Sequence, residues 1–258
     1  MKKKLLKLGI IGFSEGNGHP YSWSAIFNGY DKKLINHCGF PAIPNYLKKQ
    51  SFPNDCIKSA RVTHIWTQKR DLSEKIAKTC FIDNILENYL DMIGKVDGIL
   101  LARDDATNHY KFAKPFIERG LPIYIDKPFA LSVNNAKKLL NLRLYESQIF
   151  TCSALRYAKE LKPSRLEIDK IGRIESIEAS IPKDWNRYAI HIIEPTLNLI
   201  PTRGRILSFE RNNSKKCTSL NLSYENIDKI CFTTLGLSSK PLCIKIFGIN
   251  DSLLLSFE

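Results

Sequence analysis

The side chains in this sequence best suited to moving a proton are Lys127 and His191. Lys127 sits in Asp126-Lys127-Pro128, directly after the short apolar run of residues 121–125. In open α/β sheets ligands bind beyond the carboxyl ends of the strands, so a lysine there can act on a bound substrate. Pro128 biases Lys127 toward extended backbone. Burial and nearby positive charge would bring such an amine toward neutrality, where it can accept a hydroxyl proton. His191 and Glu194 stand three apart on an apolar helical segment and share a face. Two such ligands are too few to hold a metal, and none is expected. Plainer readings exist for both places: a solvated strand-to-loop turn at 126–128, and a core histidine satisfied by a neighbour at 191.

Phosphate binding is the other chemistry in view. Residues 7–13 form an apolar run broken at Gly12, followed by Ser14-Glu15-Gly16-Asn17-Gly18-His19. Pro20 then opens an amphipathic helix with Trp23, Ile26, Phe27 and Tyr30 on one face. A strand, a glycine-rich loop and a helix N-terminus together receive a pyrophosphate on backbone N–H groups. The candidates are Gly12, Phe13, Ser14, Asn17 and Gly18. The fingerprint is imperfect: Ser14 and Asn17 stand where the second and third glycines belong, and Gly16 and Gly18 are out of register. The second strand, residues 61–67, runs into Thr67-Gln68-Lys69-Arg70. An acid at that end would bind the ribose hydroxyls of NAD. Here the basic pair suits a 2′-phosphate, so NADP is preferred to NAD, with Thr67, Gln68 and Arg70 as candidates. Ala102 and Arg103 at the end of the strand over residues 96–102, His109 in the helix that follows, and Asp126 with Lys127 complete the cofactor set.

Strands and helices alternate through this half, with a further helix expected over residues 84–93 and another capped by Ser132, which argues for a doubly wound parallel sheet. Residues 31–60 contain Pro41, Pro44 and Pro53 and interrupt the pattern, a connection that either covers a site or runs as a surface excursion. The 258 residues suit one large domain or two smaller ones. A net charge of +13 invites an anionic partner, yet Lys and Arg are scattered and no aromatic residues interleave with them, so nucleic acid is not expected. No apolar run is long enough to span a membrane. The start, Met1-Lys2-Lys3-Lys4, imitates a leader, but its apolar run is short and no cleavage site follows, so a cytoplasmic protein is expected. Seven cysteines without a C-x-x-C pair support neither a disulfide framework nor zinc.

Lys7-Leu8-Gly9-Ile10-Ile11-Gly12, Asn108-His109, Asp126-Lys127-Pro128 and Leu155-Arg156-Tyr157 form an ordered set. Together they resemble the Gfo/Idh/MocA oxidoreductases, the glucose–fructose oxidoreductase and inositol dehydrogenase group. The loop from Gly12 to His19 also looks like a branch encoded with bacterial surface-glycan genes. The resemblance implies an N-terminal Rossmann domain binding NADP or NAD, over residues 1–128. It implies a C-terminal α+β domain over residues 129–258, whose large, mainly antiparallel open sheet supports the carbohydrate site and a homo-dimer or homo-tetramer contact. The first helix after the boundary is allowed to pack back on the Rossmann domain. In that family the lysine of Glu-Lys-Pro positions and deprotonates a substrate hydroxyl while hydride passes to the nicotinamide. Lys127 takes that place, with Asp126 for the glutamate. The family's catalytic histidine has an aspartate four residues before it and an acid three after. His191 and Glu194 fit, whereas Arg187 stands where the aspartate belongs. Arg156 is placed to meet a substrate phosphate or carboxylate, with Arg187 and Glu194 as its companions.

The second half reads as a half-exposed strand over residues 172–181, the helix around His191, and strands over 205–210, 219–223, 229–234, 242–247 and 252–257 in an antiparallel meander. The family runs on to a closing helix, so the chain reads as short. The expected function is hydride transfer between a nicotinamide cofactor and a sugar, cyclitol or sugar-nucleotide hydroxyl. Rival readings are a family member that has lost turnover and serves as a binding or scaffold protein, and, on charge alone, a nucleic-acid binder. The enzymatic reading requires Lys127 and His191 to face one crevice beside the nicotinamide.

Overall fold

The computed structural model describes residues 4–214 and 216–257, so the basic start at residues 1–3 lies outside the described residues. The chain forms two compact units, Met1–Thr151 and Cys152–Glu258.

The first unit is built on β1 (Leu6–Ile11), α1 (His19–Asn28), α2 (Ala42–Leu47), β2 (Ala60–Trp66), α3 (Arg70–Thr79), β3 (Asn84–Ile85), β4 (Gly98–Leu101), α4 (His109–Ile117), β5 (Ile123–Ile125), α5 (Val133–Leu140) and β6 (Ile149–Phe150). Its sheet runs in the order β3-β2-β1-β4-β5-β6 with every pair parallel. That is the order of a dinucleotide-binding sheet, with the reversal between β1 and β4. The continuous apolar runs have a direct cause, since both faces are covered. Ile10 and Leu100 pack in one layer with Tyr21 and Ala25 of α1 and Ile76 of α3. Ile11, Ile99 and Leu101 pack in another with Phe112 and Phe116 of α4 and Leu139 of α5.

Three expectations change here. Residues 84–93 are not a helix: Asn84 and Ile85 pair with His64 and Ile65 as an edge strand, and the Asn88 side chain accepts the Leu90 N–H to start a short 3-10 turn. The irregular segment after α1 contributes to the core, where Ile35, Ile43 and Leu47 are buried with the α1 layer. The division between units falls after Thr151 rather than after Pro128, because α5 packs in the α4 layer and β6 extends the parallel sheet.

The second unit contains α6 (Arg165–Ile171), β7 (Ile174–Ile181), α7 (Trp185–Tyr188), α8 (Ile190–Leu199), β8 (Ile206–Asn213), β9 (Thr218–Tyr224), β10 (Ile227–Thr234), β11 (Leu242–Gly248) and β12 (Ser252–Phe257). The strand order is β12-β11-β7-β10-β9-β8. The sheet is mainly antiparallel, as expected, but it is not a simple meander: β7 inserts between β10 and β11 and runs parallel to β10. Ile177, Ala179, Ile230, Phe232, Ile244 and Ile246 share one face and bury Ile192 of α8 against them. Among the described residues no helix is long and apolar enough to cross a membrane.

Candidate active site

In the first unit the loop after β1 is stitched to the ends of three other strands. The Phe13 N–H donates to Gln68 Oε1 at 2.7 Å, and Gln68 Nε2 donates to the Phe13 carbonyl at 2.6 Å. Ser14 Oγ donates to Asp104 Oδ1 at 2.6 Å and accepts the Asp104 N–H at 3.1 Å. Asn17 Nδ2 donates to Asp126 Oδ2 at 2.8 Å. Gln68 follows β2, Asp104 follows β4 and Asp126 follows β5. The residues that spoil the glycine fingerprint are therefore those that fasten the loop, each to a partner from a different strand.

Two glycines in this loop answer to close packing. A Cβ on Gly12 would come within 2.5 Å of Pro20 Cγ, so the start of α1 can approach β1 only over a glycine. A Cβ on Gly18 would meet Ile43 at 2.4 Å and Phe40 at 2.8 Å, side chains of the long connection after α1. The Phe40 ring also lies 5.9 Å from that of Phe13. The outer part of the loop is open: nothing lies within 4 Å of a Cβ built on Gly16, where φ is +78°. The amides of Ser14, Glu15 and Gly16 meet no acceptor among the described residues. N–H groups left over beside a helix N-terminus suit a pyrophosphate, so the residues present fit a dinucleotide.

Asp126 is the centre of the unit's charge. It is 1% exposed and accepts from Asn17, from the Lys127 N–H at 2.8 Å and from His19 Nδ1 at 2.5 Å. Burial pushes its carboxyl upward, but the bond and charge of His19, the charge of Lys127 and the Asn17 bond outweigh it, leaving the carboxyl below its ordinary value. His19 stacks on Trp23 at 5.0 Å, and Trp23 on Tyr124 of β5 at 4.7 Å. Lys127 is 8% exposed, its backbone fixed by Asp126. Sequence reasoning missed His19. The signal was present, a histidine at the head of a helix beginning with proline, but nothing in the sequence pointed it at Asp126.

The other cofactor candidates divide. Thr67 is buried, its Oγ1 committed to the Lys69 carbonyl at 2.7 Å and to Ser73 at 2.9 Å. Arg70 is paired with Glu74 at 2.9 Å and with Glu87. Ala102 is buried at the end of β4. Arg103, also buried, clasps Asp105 through Nε at 2.9 Å and Nη2 at 2.5 Å and lies 4.6 Å from the Phe112 ring. His109 is wholly buried, with Nε2 2.7 Å from the Arg103 carbonyl and Nδ1 3.1 Å from that of Phe129. It ties the loop after β4 to the segment after Lys127.

In the second unit His191 lies on α8. Its Nδ1 is 2.6 Å from Ser153 Oγ, and Glu194 Oε2 accepts the Ser153 N–H at 2.6 Å. Ser153 is fully buried and also accepts the Leu155 N–H. It thus holds the imidazole from a position 38 residues away in the chain, a pairing with no local signal in the sequence. Burial raises the Glu194 carboxyl above its ordinary value, against the opposing Ser153 bond and Arg156 charge. Arg187 is exposed on α7, its N–H donated to the capping Asp184. His191 lines a cavity of about 640 Å³ with Lys183, Tyr188, Leu155, Ser239 and Phe257. Lys183 Nζ donates to the Tyr188 hydroxyl at 2.9 Å, from a backbone at φ +75° that a cross-bridge to Gly236 holds in place. Arg156 lines a different depression, with Lys162, Pro195 and Asn198, so the structure separates it from the His191 cavity.

Residues 38–152 match the model of GFO_IDH_MocA, described as an oxidoreductase family with an NAD-binding Rossmann fold. Among solved structures, the chain is similar to scyllo-inositol dehydrogenase from Lactobacillus casei, at 12% identity and a TM-score of 0.72 over 99% of this chain and 76% of that one. It is similar to levoglucosan dehydrogenase in complex with NADH and levoglucosan, at 15% identity and 0.71 over 98% and 73%. A dehydrogenase (MviM) from Clostridium difficile gives 18% identity and 0.68 over 98% and 78%. At such identities the likeness concerns the fold. No curated protein matches the chain. The matched segment, on a parallel sheet with this strand order, makes the first unit similar to the NAD-binding Rossmann domain of the Gfo/Idh/MocA oxidoreductase family.

Proposed function

We propose that the protein is an NAD(P)-dependent oxidoreductase acting on a CH–OH group of a sugar, cyclitol or sugar nucleotide. The observation that carries this reading is the Asp126-Lys127 pair at the end of β5, with Asp126 bonded to the very loop whose outer amides suit a dinucleotide. The dinucleotide, when bound, supplies a hydride acceptor or donor. Glu15 and Gly16 would hold its pyrophosphate by their N–H groups. Lys127 takes the hydroxyl proton as the carbinol is oxidised and returns it in the reverse direction. In the second unit His191, bonded to Ser153, is a further candidate for handling protons, and the cavity it lines with Lys183 and Tyr188 is the size of a small polar ligand.

The scaffold reading draws on the altered glycine loop, on Gln68 at the acid position and on Arg187. Its support weakens, because the altered loop residues have partners and His191 has an orienting group in Ser153. A homo-dimer or homo-tetramer through the second unit's sheet is part of this reading: the face turned away from α8 carries Ser176, Ser180, Cys231 and Thr233 together with Glu178, Lys229 and Lys245, a polar surface of both charges. Light scattering in solution checks that assembly.

Turnover of a panel of sugars and cyclitols, followed at the absorbance of the reduced nicotinamide, is the test. Lys127→Ala should lower kcat by about 10²–10⁴ while cofactor still binds, the range expected on removing a general base. A panel that yields turnover unchanged by that substitution would sink the assignment of Lys127. Cofactor binding with no turnover on any member would restore the scaffold reading.

A further inference from the structure

We propose that Gln68 is a latch for the glycine loop and not a reader of the ribose, and that the protein consequently binds the NAD and NADP forms of the dinucleotide with closely similar affinity. The inference rests on the family's dinucleotide using the loop after β1. It replaces the preference for NADP that the basic pair Lys69-Arg70 suggests in sequence.

The end of β2 is where a Rossmann site reads the adenosine ribose, with an acid for a free 2′-hydroxyl or an arginine for a 2′-phosphate. This chain has no acid there, and its arginine is shared with two exposed carboxylates. Gln68 stands in the acid's place, and both ends of its amide are already used. Oε1 takes the Phe13 N–H at 2.7 Å and Nε2 gives to the Phe13 carbonyl at 2.6 Å, so the amide spans both backbone groups of one residue. To reach a ribose, the amide would have to release both bonds and leave the Phe13 peptide without them. Thr67 is likewise turned inward, onto the Lys69 carbonyl and Ser73.

Arg70 fails for a different reason. Its guanidinium faces Glu74 at 2.9 Å and Glu87. A 2′-phosphate arriving there would compete with two carboxylates and be repelled by whichever it displaced. Lys69 alone is left, exposed and on a flexible stem, in a place where salt screens its attraction. The two specificity devices are thus both spent on the protein. Recognition falls to what the two dinucleotides share, the pyrophosphate at Glu15 and Gly16. The latch contributes to both equally, because it fixes the loop that presents those amides.

ADP-ribose and its 2′-phosphate carry the discriminating sugar without the nicotinamide, so binding can be measured by calorimetry with no contribution from turnover. For the native chain the two Kd values should agree within about tenfold, a gap no larger than one or two ordinary hydrogen bonds. Gln68→Ala should weaken both ligands by a similar factor, about fivefold to tenfold. A second variant does not disturb the loop: Glu74→Gln with Glu87→Gln releases Arg70 and should tighten the 2′-phosphate ligand by about tenfold while leaving ADP-ribose unchanged. A preference beyond tenfold in the native chain, or a Gln68→Ala loss confined to one ligand or absent from both, overturns the proposal and leaves the oxidoreductase reading standing. If neither ligand binds, both readings fall together.

Discussion

His19 and His191 are each held through Nδ1 by a short contact to a buried oxygen, at 2.5 Å to Asp126 in the first unit and 2.6 Å to Ser153 in the second. The oxygens differ in kind. Asp126 brings a charge, and its surroundings of His19, Lys127 and Asn17 keep that charge on it below the ordinary carboxylate range, despite burial. Ser153 is neutral and can donate to the ring or accept from it. Glu194 of the second unit accepts from the Ser153 backbone, and burial moves its carboxyl the other way, upward. The first unit therefore fixes a permanent negative centre that locks a loop. The second holds an imidazole through a neutral hydroxyl.

If that contrast is right, the largest effect follows from removing the charge that locks the loop. Asp126→Ala leaves Asn17 Nδ2, His19 Nδ1 and the Lys127 N–H without their acceptor inside the protein. Breaking a buried, charge-assisted network of this kind costs about 3–5 kcal/mol. Glu194→Ala should cost about 1 kcal/mol, since it removes one bond from a half-buried group. Urea unfolding at neutral pH measures both, and equal losses would erase the distinction between the two units.

Next in size is Ser14→Gly, which restores a fingerprint glycine. Judged by the motif it should improve dinucleotide binding. By the structure it removes both bonds to Asp104 and adds backbone freedom, so it should destabilise the protein by about 2 kcal/mol and weaken the binding of ADP-ribose. A tighter-binding Ser14→Gly protein would show that the motif, and not the stitching, governs this loop.

The same residues show what a sequence can reveal. The parallel sheet was legible because its strands are short apolar runs bounded by glycine, and β4, buried along its whole length, is the clearest. The place of Lys127 just after a strand was legible because an apolar run precedes it and a proline follows it. What stayed hidden depends on contacts far apart in the chain. Phe13 meets Gln68, Ser14 meets Asp104, Asn17 meets Asp126 and His191 meets Ser153, none of them neighbours in a helix or turn. Read locally, each departure from the fingerprint looks like damage. Residues 84–93 misled for the opposite reason: their periodicity suits a helix, but the open edge of β2 and the Asn88 cap draw the backbone into a strand and a turn.

The two acids also predict pH effects of opposite sign. Asp126 is lowered from 3.8, so the stability it adds is fully present above that value and is lost as pH falls through its depressed one. Glu194 is raised from 4.5, so below that pH it is protonated in folded and unfolded chains alike. As pH rises past 4.5 the unfolded chain ionises first, and stability is lost until the folded carboxyl has ionised too. Glu194→Gln should flatten the stability profile just above this point, and Asp126→Asn should flatten it below 3.8. Thermal unfolding across the acid range reads both windows, and a single shared window would contradict the opposite environments.

The smallest effect is expected at Ser153. Ser153→Ala keeps the packing of a small buried side chain but removes the oxygen that meets His191 Nδ1 and the Leu155 N–H. Because that oxygen carries no charge, its loss should disturb the direction of the imidazole more than its affinity for a proton. The expected result is a fall in kcat of about fivefold, the worth of one ordinary hydrogen bond, with KM and dinucleotide binding unchanged. Ser153→Thr, which retains the hydroxyl, should recover most of the loss. A kcat that falls by orders of magnitude, with a displaced pH profile, would instead mean that Ser153 does more than direct the imidazole, and the contrast between the two units would fail.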